Sequence, residues 1–298
     1  MIKNQQEARI AEQIVKGFYK DNDFNRKHNL VGKRYGRDKH AEVSHAERIK
    51  LNEDTTKDRH FNRKEWRYSA SRQKLHEEIV MDNFYNYPSQ EKPTCVIVVG
   101  GGGSGKSHIY NTKVKPNLPD ADSYAYLNND DIKEMLPESH EFRKIDAKST
   151  ANRLHEESAD ITRLSLDFLT HNKKNFVLDA TFSNYSSAVP KIEKMIKQGY
   201  KIKLIGVTAN RQVVEQSVKD RYERSGRYVP ISIALGAQDG ARHTLHNFIK
   251  NHSDKFEDIQ VYNNDGLLEK KDPIHVYDNG EIKHIKYHQI KRYFRGYD

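Results

Sequence analysis

The chain has one cysteine, Cys95, in 298 residues, so it cannot form an intrachain disulfide, and no Cys/His cluster has zinc-ligand spacing. Long hydrophobic runs are missing as well. The longest is Val96-Ile97-Val98-Val99, far short of the ~20 apolar residues that a membrane helix needs. Over residues 1–19, Lys3, Glu7, Arg9 and Glu12 interrupt the apolar positions, so no signal-peptide core forms. These absences exclude a disulfide scaffold, a zinc module and a membrane-spanning protein, and they make the cytoplasm the expected compartment. Apolar residues reach only 35% against 31% charged, so any core has to be assembled from short runs. No internal repeat is present.

The chain carries a formal net charge of +9, a balance that suits a polyanion, a membrane surface or a small anionic molecule. Lys and Arg are interleaved with Asp and Glu in most segments, and the basic stretches at 59–74 and 283–297 do not make a compact stripe. Nucleic acid is therefore not the favoured partner.

Residues 1–92 read as a polar, helical amino-terminal segment. Ile10, Ile14 and Phe18 recur on one helix face, residues 21–38 read as a loop, and a second helix is expected over residues 58–84. That helix would carry Trp66, Leu75, Ile79 and the triplet His76-Glu77-Glu78. The prolines Pro88 and Pro93 bracket a boundary, which divides the chain into 1–92 and 93–298. Beyond it, short apolar strands at 95–99, 124–127, 176–178, 202–207 and 259–262 alternate with helical patterns. The clearest helix spans 145–169, with Leu154, Ile161, Leu164 and Phe168 on one side. Alternation of this kind predicts an α/β fold, a mostly parallel sheet flanked by helices. Near the end, Asp278-Asn279-Gly280 suggests a hairpin turn between arms at 274–277 and 281–285.

The strongest motif follows the first strand. Gly100-Gly101-Gly102-Gly103-Ser104-Gly105-Lys106-Ser107 satisfies G-x-x-x-x-G-K-[ST] in full. Glycines let backbone N–H groups curl around phosphate oxygens, and the helix that begins near Lys106 adds its positive end. Lys106 would reach the β- and γ-phosphates, and the Ser107 hydroxyl would ligate Mg²⁺. Gly100, Gly102 and Gly105 also fit the dinucleotide fingerprint with Asp130 as ribose acid, but that reading gives Lys106 and Ser107 no role.

The second strand ends in Asn128-Asn129-Asp130-Asp131. A carboxylate at this point can take a proton from an attacking hydroxyl, which makes Asp130 the candidate base. Helix capping by Asn129 or Asp130 is the competing role. The third strand ends at Asp179, a position suited to holding Mg²⁺ or orienting the acceptor, with Thr181 near enough to contact substrate. Downstream, Arg221, Arg224 and Arg227 recur every three residues and would share one helix side. Three neighbouring cations call for an anion, and ATP phosphates would supply it. Gly226 and Pro230 would shape the turn that follows.

Taken together these motifs resemble the zeta toxin family of P-loop kinases. The similarity runs over residues 93–266 and ends in Asp258-Ile259-Gln260-Val261-Tyr262-Asn263. It implies a kinase that uses ATP or GTP with Mg²⁺ and phosphorylates the 3′-hydroxyl of UDP-N-acetylglucosamine, which starves cell-wall synthesis. By the same resemblance Lys106 and Ser107 bind nucleotide and Mg²⁺, and Asp130 is the base. Asn129, Asp179 and Thr181 face the acceptor, while Arg221 and Arg227 clamp phosphate. The family's loop often has proline where Gly102 stands, and some members have Glu at the position of Asp179. Family toxins are typically held by a helical antitoxin in trans. Residues 1–92 would do that work in cis, or else residues 58–85 belong to the kinase core. Two other functions fit the motifs: a polynucleotide or nucleotide kinase, and a non-catalytic nucleotide-gated binding module.

Overall fold

A computed structural model describes residues 54–264, the backbone of Ile274–Asp278, and residues 9 and 13. The expected helix face of Ile10, Ile14 and Phe18, the loop at 21–38, the hairpin arm at 281–285 and the basic tail at 283–297 lie outside the described residues. Among the described residues, no helix is long and apolar enough to cross a membrane. The described chain divides into two compact units, one holding residues 54–88, 127–172 and 225–228, the other 89–126, 173–224 and the residues from 229 onward.

The second unit contains most of the six-stranded sheet. Strand β3 (Thr94–Val99) is an unbroken apolar run whose residues 95–99 are all buried. Such a strand is covered on both faces and belongs at the centre of a parallel sheet. It lies between β5 (Phe176–Ala180) and β6 (Lys201–Thr208), parallel to both, and β7 (Asp258–Asn263) continues the parallel pairing beyond β6. The strand order is β4-β5-β3-β6-β7-β8, with β4 at Ala125–Asn128 and β8 at Ile274–Asp278. The Ala125 N–H donates to Asn175 O at 3.0 Å beside β5. Strand β8, which contains the arm expected at 274–277, pairs antiparallel with β7. One core layer gathers Val96, Val98, Val177, Ile205 and Val207 with Ile109, Tyr110 and Val114.

The first unit departs most from the expected helices. In place of one helix over 58–84, α1 (Thr56–His60) is followed by a two-stranded hairpin, β1 (Phe61–Asn62) and β2 (Arg67–Tyr68), and then α2 (Ala70–Phe84). The break has a local cause: Asn62 Oδ1 accepts from the N–H groups of Lys64 and Glu65, which closes a tight turn. Phe61 then meets Trp66 and Tyr68 edge to face, at 5.6 and 5.0 Å. Ser69 caps α2, accepting from the Arg72 N–H at 3.4 Å. The helix expected over 145–169 is also divided, into α6 (Ala147–Arg153) and α7 (His155–His171), with α5 (Glu138–Ile145) before it. Asp146 restarts the chain by accepting from the Lys148 N–H at 3.0 Å, a capping role that side-chain periodicity does not register. Leu154, Ile161, Leu164 and Phe168 are all buried as expected.

Charge binds this unit together. Arg72 on α2 reaches Glu157 on α7 through Nε at 2.5 Å and grips both oxygens of Glu138, at 2.8 and 2.9 Å. His76 Nε2 meets the same Glu157 at 2.6 Å, with both side chains fully buried. One turn further on, Asp160 accepts from Lys57 Nζ at 2.7 Å and Tyr68 OH at 2.8 Å, and pairs with Arg163. Residues 56–84 therefore contribute Lys57, Tyr68, Arg72 and His76 to the buried part of this unit.

Candidate active site

In the second unit, the phosphate loop occupies the turn from β3 into α3 (Lys106–Ile109), and its glycines have separate structural reasons. A Cβ on Gly100 would lie 2.6 Å from Ser104 Oγ and 2.6 Å from Val207 O, and one on Gly101 would lie 2.5 Å from Gln238 Cα. Gly103 and Gly105 adopt φ of +79° and +93°, the left-handed region that favours glycine. A Cβ on Gly102 would meet nothing, so a proline or any other residue there changes stiffness without filling needed space.

Lys106 Nζ donates to Gly100 O at 2.8 Å and Gly101 O at 3.2 Å, and stands 3.7 Å from Asp179 Oδ1. The cation is folded back on its own loop, next to a carboxylate at the end of β5. The phenol of Tyr126 donates to Asp179 Oδ2 at 2.7 Å, and its ring stacks on Tyr110 at 4.6 Å. Thr181 follows directly on β5, and Ser107 is exposed in the first turn of α3. Among the described residues there is no cluster of three or more acidic, His or Cys side chains able to cage a metal. One hydroxyl and one carboxylate fit Mg²⁺, which keeps several waters and takes its other ligands from phosphate.

Arg221 and Arg224 lie on α9 (Arg211–Ser225), where Arg224 is exposed. The helix ends at Ser225, and Gly226 turns the chain at φ +67°. Arg227 therefore does not share the helix side expected for all three arginines: only Arg221 and Arg224 are helical. Pro230 then caps α10 (Ile231–His252).

Arg227 belongs to the first unit, with Asn129 and Asp130. The cap of α4 (Asn129–Met135) is Asn128, whose Oδ1 accepts from the Asp130 N–H at 2.8 Å. Neither Asn129 nor Asp130 is used for capping. Asn129 Nδ2 donates to Ser158 Oγ at 3.1 Å and Thr162 Oγ1 at 3.0 Å. Asp130 sits between two cations, Lys133 Nζ at 3.0 Å and Arg227 NH2 at 3.3 Å. Arg227 Nε also lies 3.8 Å from Glu134. Nearby His155 is half-buried with its Nδ1 enclosed, and desolvation and then Lys133 lower its pKa to about 3.

Two side chains at these places escaped the motif reading. Tyr126 was visible only as a strand residue. Gln238 is 3% exposed and accepts from the Gly101 N–H at 2.7 Å. Its one trace in the sequence is a polar residue within the buried stripe Ala234, Gln238, Ala241, Leu245 and Phe248.

The family model described as Zeta toxin matches residues 77–281. No curated protein matches the sequence. Among solved structures, the chain is similar to one from the PezAT chromosomal toxin–antitoxin system of Streptococcus pneumoniae. The identity is 16% and the TM-score 0.58, over 77% of this chain and 88% of that one. It is also similar to the AvrRxo1-ORF1:AvrRxo1-ORF2 complex with sulphate ions, at 17% identity and TM-score 0.60, over 76% and 73% of the two chains. The same complex with ATP gives 17% identity and TM-score 0.57, over 76% and 73%. At these identities the likeness is one of fold.

Proposed function

The chain belongs to the zeta toxin family and is a P-loop phosphotransferase, and from that premise we propose that it moves the γ-phosphate of ATP to the 3′-hydroxyl of UDP-N-acetylglucosamine, disabling cell-wall synthesis. The observation that carries this reading is the complete phosphate loop with Lys106 turned onto its carbonyls beside Asp179. A lysine held by two carbonyl oxygens is ready to exchange them for phosphate oxygens, which carry full charge. ATP in the AvrRxo1 complex and the toxin–antitoxin setting of the PezAT structure support the nucleotide and the biological role.

In the proposed reaction, Asp130 accepts the proton of the acceptor hydroxyl as its oxygen attacks the γ-phosphorus. The new O–P bond forms as the bond to the β,γ-bridging oxygen breaks, ADP leaves, and the proton passes from Asp130 to solvent. To reach the acceptor hydroxyl, Asp130 gives up part of its pairing with Lys133 and Arg227. Lys106, Arg221 and Arg227 are assigned to charge on the transferring group, and Arg224 to the nucleotide. Mg²⁺, when bound at Ser107 and Asp179, supplies charge neutralisation on the phosphate oxygens. Asn129 and Thr181 are assigned to the acceptor.

The test is a transfer assay read by mass spectrometry, with ATP·Mg²⁺ and either UDP-N-acetylglucosamine or a 5′-hydroxyl oligonucleotide. One phosphate gained by the sugar nucleotide is the expected result. Label on the oligonucleotide alone would replace the sugar reading with a polynucleotide kinase, and nucleotide binding without any transfer would favour the binding module. Asp130→Asn should lower turnover by about 10²–10⁴-fold, the usual worth of general base catalysis, while ATP binding persists. Near-normal turnover in that variant would remove Asp130 from the base role.

We propose two roles for the chain before residue 92. Residues 56–84 serve the first unit as interior structure, and the residues before 54 act as the cis inhibitor. Asp54 pairs with Arg59 and Arg153, and Thr55 caps α1, so the deletion that isolates the inhibitor ends at residue 53. Removing residues 1–53 should raise turnover at unchanged melting temperature. Equal turnover with and without them would end the inhibitor proposal.

A further inference from the structure

The residue Gly101 is held on both sides. Its N–H donates to Gln238 Oε1 at 2.7 Å, and its C=O accepts from Lys106 Nζ at 3.2 Å. Loop and helix meet without a gap, because a Cβ on Gly101 would lie 2.5 Å from Gln238 Cα and 2.7 Å from Gln238 Cβ. Gln238 itself is buried on α10 among Ala234, Ala241 and Leu245, and its Nε2 has no hydrogen-bond partner. A buried amide with its donor side unused weakens a fold relative to an apolar side chain of the same shape. Packing alone would be served as well by methionine. The one hydrogen bond that the amide makes goes to the phosphate loop.

We propose that Gln238 is a positioning residue for nucleotide, acting through Gly101 to hold the phosphate loop in its binding shape. The inference deepens the phosphate-loop reading above and rests on it. When phosphate arrives, Lys106 leaves the carbonyls of Gly100 and Gly101 for the new anion. The Gly101 N–H contact to Gln238 then stays in place, alongside the Ser104 N–H that donates to Gly101 O at 3.3 Å, and the loop need not reorganise to bind. Preorganised donors bind more tightly because ordering is not charged against the ligand.

The experiment compares wild type, Gln238→Met and Gln238→Glu by calorimetric titration with ATP and with inorganic tripolyphosphate. Melting temperature and exchange of the Gly101 amide proton are followed alongside. Methionine keeps length and removes the acceptor; glutamate keeps an oxygen where Gly101 needs one. Gln238→Met should bind both ligands about 10-fold more weakly, with faster Gly101 exchange and a melting temperature equal to or above wild type. Gln238→Glu should keep Gly101 exchange slow. Wild-type affinity in Gln238→Met would overturn the proposal, as would a loss of affinity that only tracks a fall in melting temperature. Wild type that bound neither ligand would take down the phosphate-loop reading first and this inference with it.

Discussion

Replacing Lys106 with alanine should lower phosphoryl transfer by about 10²–10³-fold or more, the loss typical of one preorganised charge-stabilising donor. The fold should survive the change. The Lys106 side chain hydrogen-bonds to carbonyls of its own loop and stands 3.7 Å from Asp179, and the bond from the Tyr110 N–H to Lys106 O is backbone and survives in alanine. The melting temperature is expected to stay within a few degrees of wild type, while initial rates collapse and ATP binding weakens. Arginine should not restore the rate, because a planar guanidinium cannot occupy the compact position of an ammonium against the loop. A Lys106→Ala variant that kept a tenth of wild-type turnover would remove the loop from the chemistry.

The second large effect concerns stability. Glu157→Ala should cost about 3–5 kcal/mol, the range for removing one partner of a buried ion pair. The loss leaves Arg72 and His76 facing an apolar void at the α2–α7 contact, with Glu138 as the remaining counter-charge on Arg72. Urea denaturation would measure it, and a change below about 1 kcal/mol would mean that solvent reaches the pair. The same carboxylate predicts an acid limb. Burial would raise the Glu157 pKa, but hydrogen bonds from His76 and Arg72 outweigh it and lower the value from 4.5 to about 2. The unfolded chain therefore binds a proton that the folded chain refuses. The stabilisation is complete above pH 4.5 and is lost as pH falls toward 2. His155, lowered from 6.5 to about 3 by burial and Lys133, acts in the same direction. Between those values the unfolded imidazole takes up a proton that the folded one excludes, so stability declines from about pH 6.5 downward. Glu157→Gln should flatten the part of the curve below pH 4.5 and leave the histidine part in place.

The sheet and the phosphate loop were legible because their signals are local. Five apolar runs sit where β3 to β7 run, and the loop motif stands at the turn after β3. The first unit was harder to read for a physical reason. Its buried stripe on α2 begins with Arg72 and His76, and on α7 it includes Glu157 and Asp160. Apolar periodicity counts such residues as exposed, since nothing in one segment shows the counter-charge waiting in another. The hairpin at 61–68 was hidden likewise, since its turn depends on one asparagine side chain. Asp130 was legible as a functional candidate, but its partner Arg227 was assigned to a helix that ends two residues earlier. Gln238 lay 137 residues from the glycine it touches, beyond the reach of any motif.

The order of synthesis gives the first unit an unusual schedule. Its pieces are residues 54–88, 127–172 and 225–228, so the last of them emerges long after the others have begun to fold. At ~5–20 residues per second, the interval between the second and third pieces lasts on the order of 3–10 s. During that time Asp130 has Lys133 beside it, while the guanidinium of Arg227 has yet to be made. A nascent chain stalled inside that interval would carry the phosphate loop and the candidate base but lack one of its cations. Ribosome-bound chains of increasing length should therefore gain protease resistance over residues 127–172 in two steps, the second appearing only once residue 228 has left the ribosome.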